Sequence, residues 1–358
     1  MVNVVGVENS SVENSNESRV GVLDILRAMA ITFVVLTHYK EQIFPGGSIG
    51  VSIFFCLSGY LITRNLLRKD VSIPNFLIRR IFRIYPAYLF VCFLHLFILY
   101  YTRSTYYETY VNELPNFLLI IKMPEKWLGY GVGVFWTLQI ELMFYFLIPF
   151  LIKWTDSIIR KSIVISLIVI SVFLKLMVFW DVFQLSTYSI FRTFYWMDNL
   201  LYGTLAALLL EKFDFKKLNA KSKQMLAVLS FLLFLIFLTI ASFVIFWTSI
   251  GKFWPFQSSL TSLLTGIIIF FSLKYQLLNN IRPKIISLIS LLAYSIYLAH
   301  PFPLDYFFPC KHFFNVSNIE YKAITLTALI LLILFLHYVI EKPGMKLGKR
   351  LSDFIAAK

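Results

Sequence analysis

Cysteine is scarce in this chain: Cys56, Cys92 and Cys310 lie far apart, and their spacing supports neither a disulfide framework nor a metal site. Charge is scarce too, at 15% of the 358 residues against 59% hydrophobic, which excludes a large soluble domain and places the chain among polytopic membrane proteins. Acidic residues are the rarer sign, 19 against 33 basic ones, for a net charge of +14. No nucleic-acid partner follows from that excess, because the basic residues sit in short connections between apolar runs, where membrane topology accounts for them. Basic residues are almost missing from the first 22 positions. The polar VENSSVENSNES there reads as a disordered tail over residues 1–21 rather than a signal peptide, so insertion relies on the first span.

What the chain has in abundance is aromatic and aliphatic surface, including 37 Phe and 20 Tyr, suited to lipid-facing walls and interfacial belts. Runs near the roughly 20 residues a bilayer crossing needs fall at 23–42, 48–67, 81–101, 134–152, 159–179, 195–210, 225–247, 258–274, 285–304 and 321–340. The fold class is therefore all-α, a polytopic membrane helix bundle of about ten transmembrane helices. Alternate connections carry most of the Lys and Arg, with Arg64, Arg68, Lys69, Arg79, Arg80 and Arg83 in one of them. This bias predicts that the N-terminus and C-terminus are both cytoplasmic. The transmembrane domain covers 22–345, and 346–358 forms a basic cytoplasmic tail. NFLLII at 116–121 is too short to span and is expected to lie at the interface or re-enter.

One span carries two groups that are costly in lipid. In LDILRAMAITFVVLTH, Arg27 and His38 are eleven positions apart, three helical turns plus about 20°, so both leave one face about 16 Å apart. Ionisable groups inside a span face a bundle interior or a watery cavity, so this pair predicts a lumen. Glu141 lies within the fourth span, in FWTLQIELMFYFLIPFLI; a lone carboxylate there is protonated, paired or facing water. Arg80 and Arg83 are i, i+3 neighbours entering the third span just before Tyr85 and Pro86, so their forks can close on one anion. For Arg64, Arg68 and Arg79 the simpler reading is topology and lipid head groups.

These residues fall into an order. Arg27 with His38, the hairpin GGSIGVSIFFCLSGYLIT with Ser58 and Gly59, Arg80 with Arg83, WTLQIELMFY, LAYSIYLAHP at 292–301 and EKP at 341–343 together resemble the acyltransferase-3 family of integral-membrane acyltransferases. The resemblance covers about 22–345, and no soluble hydrolase-like domain of the kind some members carry is expected after the last span. The family's acidic segment has two consecutive acids, whereas here Glu141 is followed by Leu142.

The resemblance implies transfer of an acyl group, most often acetyl from acetyl-CoA, to a hydroxyl of a sugar or glycan acceptor across a bacterial cytoplasmic membrane. It makes His38 the essential histidine and Arg27, Arg80 and Arg83 functional. The chemistry agrees: imidazole, with a pKa near 6.5, suits removal of a hydroxyl proton. Glu141 is expected to orient its other ring nitrogen, as in hydrolase triads. Arg80 and Arg83, with Ser58 and Tyr85 nearby, are expected to hold acyl-CoA, whose pantetheine arm of roughly 15–20 Å matches the Arg27 to His38 separation.

On the acceptor side, His300 reads either as an acceptor contact or as a helix-end histidine, and Asp198 with Asn199 as donors and acceptors for sugar hydroxyls. Trp127, in the Tyr-rich loop 102–133, is expected to stack on the acceptor. Lys175 is expected to snorkel out of the fifth span, and His95 and His337 are expected to be structural. No metal is expected. The alternative is a proton-coupled transporter or flippase using Arg27, His38 and Glu141, against which the spans show no two-fold repetition; a structural partner of a polysaccharide assembly is a third reading.

Overall fold

The computed structural model describes residues 21–40, 47–120, 133–180, 191–212, 219–247, 254–275, 283–303 and 318–356. Among them there is no strand. The helices are α1 (Gly21–Lys40), α2 (Gly47–Leu66), α3 (Ile73–Tyr101), α4 (Tyr107–Leu119), α5 (Trp136–Trp154), α6 (Ser157–Phe179), α7 (Phe191–Lys212), α8 (Ala220–Trp247), α9 (Trp254–Lys274), α10 (Lys284–Ala299) and α11 (Asn318–Phe335). A π-helical stretch (Leu336–Glu341) then leads without a break into α12 (Lys342–Ala356).

Each of the ten apolar runs overlaps a helix, and among the described residues seven helices are long and apolar enough to cross a membrane. The protein is a multi-pass membrane protein. Val169 and Phe173 on α6 and Leu232 on α8 are exposed, a surface that hydrocarbon would cover and water would not. The last helix departs from expectation in length: it runs unbroken over Ile319–Ala356, 38 residues. At 1.5 Å per residue that is about 57 Å, nearly twice the hydrocarbon thickness, and its final part is the amphipathic α12. The NFLLII run ends the 13-residue α4, with Tyr110 and Phe117 buried against the bundle.

Sequence chemistry sets several helix starts. Ser72 caps α3, accepting from the Asn75 N–H, and Asp156 caps α6, accepting from the N–H groups of Ile158 and Ile159 at 2.8 and 3.0 Å. Such caps satisfy amides that have no partner within the helix.

At the centre, α2 packs on α1, α7 and α9, and small residues decide how closely. A Cβ on Gly59 would strike the Leu200 carbonyl, and one on Gly203 would strike the Cys56 carbonyl. The two helices therefore touch backbone to backbone, the small-residue packing that membrane bundles favour. Gly50 does the same against α1, where a Cβ would lie 2.5 Å from the Ala30 carbonyl. With its neighbours drawn in this tightly, α2 brings Ser58 to the bundle interior opposite Glu141 of α5.

One expectation about charge is overturned. Lys175 does not snorkel; it is fully buried, its Nζ 2.8 Å from both carboxylate oxygens of Asp198 and bonded to Ser258 (3.2 Å) and Ser259 (2.6 Å). The reason is a carboxylate on the neighbouring helix α7: an ammonium bound by a carboxylate and two hydroxyls loses less than one left to reach for the surface.

Candidate functional site

Arg27, on α1, donates to Ser290 of α10 at 2.9 Å and lies 3.4 Å from Asp24 one turn back, while Ser290 itself donates to Asp24 at 2.6 Å. Three turns further along α1, the His38 ring meets the ring of His300, which follows α10, edge to face at 4.9 Å, and the Tyr39 hydroxyl donates to the His300 carbonyl at 2.8 Å. Arg27 and His38 thus share a face, and that face looks at α10.

Beside Arg27 lies a cavity of about 120 Å³. Arg27, Arg80, Arg83, Ser58, Glu141 and Tyr297 line it, together with apolar side chains such as Phe54, Phe55 and Leu138. Glu141 is fixed on one oxygen: the Ser58 hydroxyl donates to it from α2, and the Tyr145 hydroxyl donates from one turn along α5 at 2.5 Å. The Arg80 guanidinium stands over the rings of Phe76 and Tyr145 at 5.4 and 5.7 Å. Cation–π contact on two sides holds its planar fork without consuming its N–H donors.

Tyr297 stands between the cavity, which it lines, and the histidines, its ring 5.8 Å from that of His300. Tyr297 is anchored by the Val134 carbonyl at 2.8 Å and the Thr137 hydroxyl at 2.7 Å. The Nδ1 of His38 lies 2.8 Å from the Val34 carbonyl, and that of His300 lies 2.8 Å from the Tyr297 carbonyl. A carbonyl only accepts, so in each neutral ring Nδ1 carries the proton and Nε2 keeps the basic lone pair. His300 Nε2 is buried and has no hydrogen-bond partner among the described residues.

This corrects the expected triad. Glu141 does not orient His38; the helix's own backbone does, because the His38 ring bonds back to the Val34 carbonyl one turn earlier, whereas Glu141 is held by Ser58 and Tyr145.

The other expected residues divide. Arg80, Arg83 and Ser58 line the cavity. Tyr85 follows Ile84, which does line it, and packs edge-on against Tyr88 with ring centroids 6.3 Å apart. Asp198 is fully buried, sharing its carboxylate between Lys175, Ser171 (3.1 Å), Ser259 (2.5 Å) and the Asn199 amide (3.0 Å). It belongs to a polar knot among α6, α7 and α9, apart from the cavity. Trp127 lies outside the described residues. His95 is buried against Phe302, with ring centroids 4.5 Å apart. Among the described residues no group of three or more His, Cys, Asp or Glu is placed to hold a metal ion.

Three participants escaped the sequence reading although signals for them existed. Asp24 precedes Arg27 by three positions and Tyr145 follows Glu141 by four, the helical spacings at which side chains meet. Glu341, the acid of EKP, lines the cavity and accepts from Ser295 and His337, each at 2.9 Å. It sits at the end of the π-helical stretch, whose wider turn shifts the register by a residue; that could not be read from the sequence.

The family model described as acyltransferase domain (Acyl_transf_3) matches residues 20–340. Among curated proteins the chain is similar to the O-acetyltransferase OatA of Staphylococcus aureus strains NCTC 8325, COL and MRSA252, 30% identical over 171 residues in each case. That similarity covers 41% of this chain and 28% of the relative, so the chain matches little more than a quarter of the length of these relatives. No solved structure matches.

Proposed function

The chain belongs to the acyltransferase-3 family, and from that premise we propose that it moves an acyl group, acetyl before others, from acyl-CoA to a hydroxyl of a sugar or glycan acceptor. The donor enters from the cytoplasmic side of a bacterial inner membrane, crossed by ten spans with both termini inside, and the acceptor arrives at the other face. The observation that supports this reading is a cavity lined by Arg27, Arg80, Arg83 and Glu141, with Tyr297 on its wall packing against His300, which in turn packs against His38.

Phosphates are the natural ligands of Arg80 and Arg83, whose forks match phosphate oxygens. The apolar wall of Phe54, Phe55 and Leu138 suits the pantetheine arm and acyl chain. His38 Nε2 takes the proton of the acceptor hydroxyl as its oxygen attacks the thioester carbonyl. The C–S bond then breaks, and the departing thiolate receives that proton from the imidazolium. His300 Nε2 accepts a hydrogen bond from the acceptor and holds it beside His38. A transporter would leave the thioester intact.

The test is purified protein in vesicles supplied with acetyl-CoA inside and a glycan acceptor outside. Acetylated glycan, detected by mass, is expected with wild type and is lost in His38→Ala. Thioester consumption that is independent of the acceptor and unchanged in His38→Ala would overturn the assignment.

A further inference from the structure

Arg80 and Arg83 line two spaces. The second is a chamber of about 290 Å³, walled by the start of α3 and by α12. Its approach is set by glycine: Cβ atoms on Gly344 and Gly348 would stand 2.8 Å from the Phe82 carbonyl and 2.5 Å from the Phe82 Cβ. Pro86, inside α3, removes the N–H that would bond that carbonyl, so the carbonyl is left facing Gly344. Arg79 fastens the contact further along, donating to Ser352 at 2.9 Å and to Asp353 at 2.8 Å. This packing brings Lys349 of α12 to the wall of the chamber that the arginine pair also lines.

The electrostatics of the chamber are lopsided. Asp70, the carboxylate on its wall, is engaged by both forks of Arg68, at 3.2 and 2.9 Å. Lys349 has no ion-pair partner among the described residues. The Asn75 amide oxygen, also on the wall, is buried without a hydrogen-bond partner among the described residues. A buried acceptor left in this state is costly unless a ligand donates to it.

The chamber therefore offers cations from two elements, Arg80 with Arg83 of α3, which it shares with the first cavity, and Lys349 of α12, plus one acceptor awaiting a neutral donor; Arg79, also on its wall, is engaged by Ser352 and Asp353. We propose that it binds a nucleotide carrying a second, separate phosphate monoester: the 3′-phosphoadenosine end of the CoA donor. Lys349 holds the 3′-phosphate, the Asn75 oxygen accepts from the exocyclic amine of the base, and Arg80 with Arg83 straddle the pyrophosphate between the chambers. Arg79 is a positioning residue that keeps α12, and so Lys349, in place. This inference rests on the donor reading above and adds that α12 discriminates between CoA-type donors.

The test measures KM for acetyl-CoA and for acetyl-3′-dephospho-CoA with the full chain in detergent, reading thiol release in the presence of acceptor. In wild type, loss of the 3′-phosphate raises KM about tenfold, the scale of one charge-assisted hydrogen bond. Lys349→Ala raises KM for acetyl-CoA by a similar factor and leaves KM for the dephospho donor within about twofold, since the group that Lys349 holds is already gone. Lys346→Ala, an exposed cation on the same helix, controls for the general field of α12 and is expected to change neither. Equal effects of Lys349→Ala on both donors, or no effect on either, would overturn the subsite while leaving the acyltransferase reading intact. Failure of wild type to release thiol from either donor would overturn both.

Discussion

Replacing Lys175 by Met separates two accounts of Asp198, a buried structural pair or an acceptor contact. In the structure Lys175 Nζ is within 2.8 Å of both oxygens of Asp198, and both side chains are fully buried. Removing the ammonium alone leaves a carboxylate in a low-dielectric interior with only Ser171, Ser259 and Asn199 as partners, a loss of about 3–5 kcal/mol. Removing both charges in Lys175→Met with Asp198→Leu abolishes the uncompensated ion. What remains is the loss of hydrogen bonds to Ser171, Asn199, Ser258 and Ser259, about 1 kcal/mol each, so the double variant should at least equal the single in stability. The assay is the folded fraction surviving heating in detergent, followed by size exclusion for wild type, both single variants and the double. A Lys175→Met protein as stable as wild type would refute the reasoning. So would an Asp198→Asn protein that folds normally and fails only in acceptor KM, the behaviour of an acceptor contact.

Gly59→Ala and Gly203→Ala should yield little folded protein, because each Cβ meets backbone, whereas Gly47→Ala, where a Cβ meets the Thr37 side chain at 3.1 Å, is tolerated; yields from membranes decide this. His38→Gln should lower transfer about 10²–10⁴-fold, the range of a lost general base, with donor KM little changed. Glu141→Gln keeps an oxygen for Ser58 and Tyr145 and so folds, but loses its charge among the arginines; transfer is expected to fall at least about tenfold, about 1.4 kcal/mol in the barrier. Arg80→Lys replaces a stacked planar fork by a point charge, and KM for acetyl-CoA should rise about tenfold, against Arg64→Lys, which should leave it unchanged.

Helix content, the membrane setting and the place of the arginine and histidine stripe on α1 were fixed by the chain's own pattern: runs of apolar residues too long for anything but helices, and a spacing of eleven that puts two costly side chains on one face. Motif order was enough for the family. The partners of those side chains were not legible, because they come from helices far off in the chain. Ser290 reaches Arg27 across 263 positions, and Ser58 reaches Glu141 across 83. No periodicity within a span says which neighbouring helix its polar stripe will face. Packing at Gly59, Gly203, Gly344 and Gly348 decides that, and with it the pairing of Lys175 with Asp198, the backbone rather than Glu141 as the support of His38, and the turn of α12 toward the arginines. The sequence dictates what must be hidden from lipid; only the assembled bundle determines against what.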